Sequence, residues 1–173
     1  MRIFFCGAPG VGKSTLLKEL HKLYPEYIVH DSMSALFMDR QEQQFTDSFQ
    51  NKVNVYCFNI FLNSGDNIIM SRSIIDSLTL NTKPKDLEYI ESLVPYAIRK
   101  TDVFIYLPIE FEISQREDGL RVLDKVYQSY IDKRIRTELR LRIPDFQAFT
   151  VTGSIEERVE RLKKIFKYDP LTK

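Results

Sequence analysis

The sequence predicts an α/β fold: a five-stranded parallel sheet with helices on both faces, in three layers. Three observations point there. Short apolar runs alternate with longer amphipathic ones, as in a sheet whose strands are joined by helices. The runs are continuous rather than alternating, as strands covered on both faces require. The first run also breaks into a glycine-rich turn that leads directly into a leucine-striped segment.

The elements follow in order. Arg2–Cys6 reads as the first strand, and Leu16, Leu17, Leu20 and Leu23 stripe the helix after the turn. Tyr27–His30 is the second strand. Phe49, Val53, Tyr56 and Ile60 mark a long helix before the third strand, Asn67–Met70. Leu87, Ile90, Val94 and Ala97 stripe the next helix, which leads to the fourth strand, Val103–Leu107. The charge-rich stretch 109–142 is long for a plain crossover and reads as a lid plus a helix. Gln147–Val151 forms the fifth strand, and Ile155, Val159, Leu162 and Phe166 stripe the last helix.

With 173 residues, 43% of them apolar, and no repeat or linker, residues 1–173 are expected to form one domain. A net charge of +1 provides no global field toward nucleic acid or an anionic membrane, so any basic site must be local. Cys6 and Cys57 are isolated, which argues against zinc or a disulfide framework and for a reducing, cytoplasmic setting. No apolar run has the length of a signal peptide or a membrane span. Oligomeric state is not legible.

The chemistry starts at Gly7-Ala8-Pro9-Gly10-Val11-Gly12-Lys13-Ser14, the pattern G-x-x-x-x-G-K-[ST] of a phosphate-binding P-loop. Glycine permits the torsions that turn successive N–H groups inward as a nest for phosphate oxygens, and the following helix adds its positive dipole end. Gly7, Ala8, Pro9, Gly10, Val11, Gly12, Lys13, Ser14 and Thr15 are therefore the expected ATP contacts. Lys13 is expected on the β- and γ-phosphates, and the Ser14 hydroxyl on Mg²⁺.

In a parallel sheet all strand C-termini open on the P-loop edge. The second strand ends at His30-Asp31, which places Asp31 to accept a proton from a substrate hydroxyl or to hold magnesium through water. Capping a helix that starts near Ser32 is the structural alternative; His30 reads as structural. The third and fourth strands end in Met70-Ser71-Arg72 and Tyr106-Leu107-Pro108, without the strand-end acid that motors and switches use. Arg72 suits donor and acceptor phosphoryl groups, or else an ion pair with Asp76 at helical spacing. Arg116 and Arg121 flank Gly119 in the lid and are expected to close over the triphosphate. Lys133, Arg134, Arg136, Arg140 and Arg142 read as a solvated or self-paired face, with a nucleic-acid-facing patch as the alternative. Phe49 reads as core, and Gln50 and Asn54 border the acceptor cleft.

Together these residues resemble the P-loop nucleoside and nucleotide kinase superfamily. More narrowly they resemble a small AAA-type ATPase/kinase group that includes the ribosylnicotinamide kinase domain of NadR proteins and many phage proteins. The resemblance rests on Gly7–Ser14, Asp31, the Ser-Arg-Ser-x-x-Asp segment at 71–76, Asp118-Gly119-Leu120-Arg121, and Thr152-Gly153-Ser154 followed by Glu156-Glu157-Arg158-Val159. It implies a phosphotransferase moving the γ-phosphoryl of ATP to a nucleoside, nucleotide or similar metabolite, with Thr152, Gly153 and Ser154 near adenine. By its own chemistry that last loop is a turn with Ser154 capping the final helix. Relatives carry Asp-Arg or Glu-Arg after the third strand; Ser71 here shifts the magnesium role toward Asp31. Two other readings keep the P-loop: a kinase acting on nucleic acid, such as a modified base in DNA, and a regulatory module that binds NTP without catalysis.

Overall fold

In the computed structural model, which describes residues 1–31, 47–80, 84–110 and 125–167, five parallel strands lie in the order β2-β3-β1-β4-β5. In chain order the elements are β1 (Arg2–Cys6), α1 (Lys13–Leu23), β2 (Ile28–His30), α2 (Asp47–Asn63), β3 (Ile68–Met70) and α3 (Ile74–Leu80). They continue with α4 (Pro84–Lys100), β4 (Val103–Tyr106), α5 (Lys125–Arg142), β5 (Ala148–Thr150) and α6 (Ile155–Phe166).

The layers follow from the order. The chain leaves β1 in one direction for β2 and afterwards works back across the sheet to β5. Parallel crossovers are right-handed, so a reversal of direction puts the helices on opposite faces. Accordingly α1 packs with α6, while α3 packs with α2, α4 and α5. β1 sits where the order reverses, between β3 and β4. That switch point opens the crevice that α/β sheets use for ligands.

The three inner strands are the apolar heart. Ile3, Phe4, Phe5 and Cys6, Ile68 to Met70, and Val103 to Tyr106 are all buried. Phe4 stands opposite Met70 on one side and Phe104 on the other, and its ring meets Phe61 and Phe104 edge-on at 5.4 and 6.3 Å. Burying such a side chain contributes about 1.5–3 kcal/mol. Continuous burial does not extend to the rim. β2 and β5 are edge strands, and Ile28 remains 56% exposed, because each has only one neighbouring strand.

Two helical stripes also differ from expectation. On α2 the buried apolar line is Phe49, Val53, Cys57 and Phe61, at every fourth residue, leaving Tyr56 and Ile60 half-buried. On α1, Leu16, Leu17 and Leu20 are buried but Leu23 is not, because aromatic packing replaces it below the sheet. There Tyr24 stacks on Phe166 at 4.5 Å and Tyr27 meets the same ring edge-on at 5.4 Å, fastening α1 to α6. Arg2 closes the opposite corner. Its guanidinium donates to the carbonyls of Phe61 and Ser64 at the C-terminal end of α2 and lies 5.1 Å from the Phe61 ring centroid. No described helix is long and apolar enough to cross a membrane.

Candidate functional site

The turn after β1 has its predicted place, between the end of β1 and the start of α1. Gly7 lies so close to β4 that a Cβ there would meet the Leu107 carbonyl oxygen at 2.6 Å. Gly12 is the N-cap of α1 in the left-handed region, at φ 88°, which disfavours a side chain. That cap has no side-chain hydrogen bond, and the first turn of α1 contains no acidic residue. A helix N-terminus of this kind carries the positive end of the helix dipole. Lys13 Nζ donates to the carbonyls of Gly7 and Ala8 at 2.5 and 3.0 Å, so its charge lies along the turn. Thr15, two residues on, is exposed.

Asp31 follows β2, and the end of β2 is tied to the next strand by the Ser71 N–H donating to the His30 carbonyl at 3.0 Å. The half-buried His30 ring has its pKa lowered by burial, in keeping with a structural role. Ser14 Oγ donates to Asp31 Oδ1 at 2.8 Å. A hydroxyl and a carboxylate side by side are the hard oxygen donors that Mg²⁺ takes, usually only one or two of them from protein. Neighbouring ligands of an octahedral Mg²⁺ stand about 2.9 Å apart, so the pair fits the ion. Among the described residues no cluster of three or more His, Cys, Asp or Glu offers a fuller cage.

On the α2 side, Arg72 Nη2 donates to Gln50 Oε1 at 2.9 Å and to Asn54 Oδ1 at 3.0 Å. Arg72 Nε and Asn54 Nδ2 are buried without a protein partner. The alternative of an Arg72–Asp76 ion pair is not realised. Asp76 is buried and turns inward, where it accepts from the Gly7 N–H at 3.3 Å, the Ser73 N–H at 2.8 Å and the Ser73 hydroxyl at 2.7 Å. The Ser73 hydroxyl accepts in turn from Ile75 N–H at 3.1 Å. The carboxylate thus holds the P-loop to the start of α3 and leaves Arg72 to Gln50 and Asn54.

On the other side of the P-loop three residues matter that the sequence did not single out for this role. Arg158 of α6 is fully buried, and its Nη1 donates to the Val11 carbonyl at 2.8 Å while Nη2 meets Glu110 Oε2 at 2.7 Å. Glu110, just past β4, also accepts from the Gly153 N–H at 2.8 Å. Burial pushes the Glu110 carboxyl up, but the hydrogen bonds from Arg158 and Gly153 prevail and hold it below the usual range. Gln128 of α5 is buried and donates from Nε2 to the Pro9 carbonyl at 2.8 Å. An acid two residues beyond a proline, and a Gln and an Arg on helices over 100 residues away, give no local signal in sequence.

Ser154 caps α6 as expected, in a full capping box with Glu157. Arg161 Nη1 donates to the Thr152 hydroxyl at 2.5 Å, so the loop Thr152-Gly153-Ser154 is held from both sides. On the basic face of α5, Arg136 pairs with Asp132 at 3.1 Å, and Arg142 pairs with Glu138 at 2.5 Å and with Glu91 of α4 at 3.0 Å. Arg134 donates to the Leu78 carbonyl at 3.1 Å, while Lys133 and Arg140 are exposed. Arg116 and Arg121 lie outside the described residues, as does any helix that Asp31 would cap.

Against known proteins, a family model described as an AAA domain matches residues 2–158. No curated protein sequence matches. Solved structures do. Deoxyadenosine kinase from M. mycoides, solved with dCMP and dCDP, is similar with a TM-score of 0.71 at 19% identity, over 96% of this chain and 98% of that one. NadR in complex with NR is similar with a TM-score of 0.67 at 15% identity, over 96% of this chain and 50% of that one. Thymidylate kinase from Candida albicans is similar with a TM-score of 0.64 at 13% identity, over 95% of this chain and 90% of that one. The fold is therefore that of the P-loop nucleoside and nucleotide kinases.

Proposed function

This chain belongs to the AAA-domain family, and from that premise we propose that it is an ATP-dependent kinase whose acceptor is a nucleoside, a nucleotide or a nucleoside-like metabolite. The observation that carries this reading is the convergence of Lys13, Ser14 and Asp31 on one sheet edge, with Ser14 and Asp31 in contact at 2.8 Å. The likeness to deoxyadenosine, thymidylate and NadR structures supports the choice of a small acceptor.

The turn 7–14 and the N-terminus of α1 take the triphosphate, with Lys13 leaving the Gly7 and Ala8 carbonyls for the β- and γ-phosphates. Ser14 and Asp31 would hold Mg²⁺, which would supply charge neutralisation to the phosphates. The acceptor hydroxyl, on the Arg72 side, attacks the γ-phosphorus. Its new O–P bond forms as the bond to the β–γ bridging oxygen breaks and ADP leaves. Its proton passes to Asp31, and Arg72 stabilises the negative charge in flight. Arg116 and Arg121 would add positive charge toward the phosphates, and Gly153 and Ser154 would contact the base. Most of the acceleration is positioning and preorganised charge.

The test is an ADP-release screen against nucleosides, nucleoside monophosphates, ribosylnicotinamide and DNA, with Lys13→Ala as the blank. Acceptor-dependent ADP release with a small molecule, absent in Lys13→Ala, is expected. ATP binding with no turnover on any acceptor would favour a non-catalytic NTP-binding module instead.

A further inference from the structure

The P-loop is held from behind. Its Pro9 carbonyl accepts from Gln128 of α5, and its Val11 carbonyl accepts from Arg158 of α6, both at 2.8 Å. Both donors are buried, Gln128 at 8% exposure and Arg158 at 0%. Neither hydrogen bond belongs to the sheet or to a helix, and each spans more than 100 residues of chain.

A trans peptide is a rigid plane in which C=O and the next N–H point in opposite directions. Every peptide bond described here is trans. Fixing the Pro9 carbonyl toward Gln128 therefore fixes the Gly10 N–H toward the opposite side. Fixing the Val11 carbonyl toward Arg158 does the same for the Gly12 N–H. No protein acceptor takes either amide among the described residues. Glycine peptides would otherwise turn over at little cost, because glycine populates both signs of φ. A nest works only when its amides converge.

We propose that Gln128 and Arg158 are positioning residues: without touching the ligand, they set the direction of the Gly10 and Gly12 amides that bind the phosphate chain. This rests on the reading of the P-loop as a triphosphate site. Arg158 carries a second duty. Its other nitrogen is held by Glu110, whose same oxygen accepts from Gly153, so the loop after β5 and the Gly12 amide share one guanidinium. The planar fork serves both partners at once, whereas a lysine ammonium on a flexible stem does not reproduce that geometry.

The experiment uses the full chain labelled with ¹⁵N-glycine; with six glycines in all, the amides can be assigned one by one. Tripolyphosphate and ATP are titrated into the wild type, Gln128→Met and Arg158→Lys. In the wild type both ligands should move the Gly10 and Gly12 amides. Gln128→Met should weaken tripolyphosphate binding about tenfold, the effect of one lost orienting hydrogen bond, and blunt the Gly10 shift while sparing Gly12. Arg158→Lys should do the reverse. In turnover, the KM for ATP should rise by the same factor with kcat within about threefold, a split that loss of folded protein alone does not produce. Should Arg158→Lys not fold, Glu110→Gln at its partly exposed position loosens the same guanidinium and should give an intermediate loss at Gly12 that spares Gly10, with Gly153 shifting as its own acceptor changes. Wild-type affinity and unchanged glycine shifts in the variants would overturn the proposal. A wild type that responds to neither ligand would sink the triphosphate reading itself.

Discussion

The Ser14 hydroxyl donates to the Asp31 carboxylate at 2.8 Å, although β3 separates the two strands from which they extend. The contact joins the first turn of α1 to the end of β2, so the residue after the P-loop lysine and the strand-end acid act as one unit.

From that contact it follows that Ser14→Ala and Asp31→Asn should share a phenotype. Each should raise the Mg²⁺ concentration for half-maximal turnover. Asp31→Asn should also lower kcat about 100-fold, because the proton acceptor is lost as well. A magnesium titration of ADP release checks both. Turnover within a few-fold of wild type in Asp31→Asn would rule out its role as base.

Arg72 is held by Gln50 and Asn54 rather than by a carboxylate, so its charge is not neutralised within the protein by either partner. Arg72→Lys keeps the charge and removes the planar fork. The expected result is a fall in kcat of about 100-fold with KM for ATP changed less than threefold, measured at saturating acceptor.

Asp76 has a structural consequence rather than a catalytic one. It is buried and accepts from Gly7 N–H, Ser73 N–H and Ser73 Oγ. Asp76→Ala strands these donors and should destabilise the fold by about 2–4 kcal/mol, lowering Tm by roughly 5–15 °C. Calorimetry without ligand measures it.

The two thiols predict alkaline behaviour. Burial raises Cys57 to about 11, and burial with the nearby Asp76 charge raises Cys6 well above its ordinary value. A thiol that holds its proton more tightly when folded favours the folded state below the unfolded pKa, near 9, and loses that contribution as pH rises toward the folded value. Denaturant midpoints should therefore fall between pH 9 and 11. Cys57→Ala should flatten that decline by about 2–3 kcal/mol. At pH 8 iodoacetamide should label both cysteines only after unfolding.

The five strands were legible because each is a compact apolar run ended by polar or turn residues, and the structure trims them by a residue at most at each end. The P-loop was legible because its chemistry is local: glycines, lysine and serine within eight positions. The α2 stripe was misjudged because Tyr56 and Cys57 are adjacent and both apolar, and only the tilt of the helix on the sheet decides between them. Asp76 was ambiguous because helical spacing offered Arg72, whereas the fold offered the Gly7 amide from the neighbouring strand. The bracing roles of Glu110, Gln128 and Arg158 were not legible because each meets its partner only after the chain has closed on itself.

The bond from Arg158 to the Val11 carbonyl spans 147 residues, so the turn after β1 is completed by α6. During synthesis the P-loop is made well before α6, the helix that braces it. A nascent chain therefore carries the P-loop signature before the Arg158 brace on its Val11 carbonyl can form.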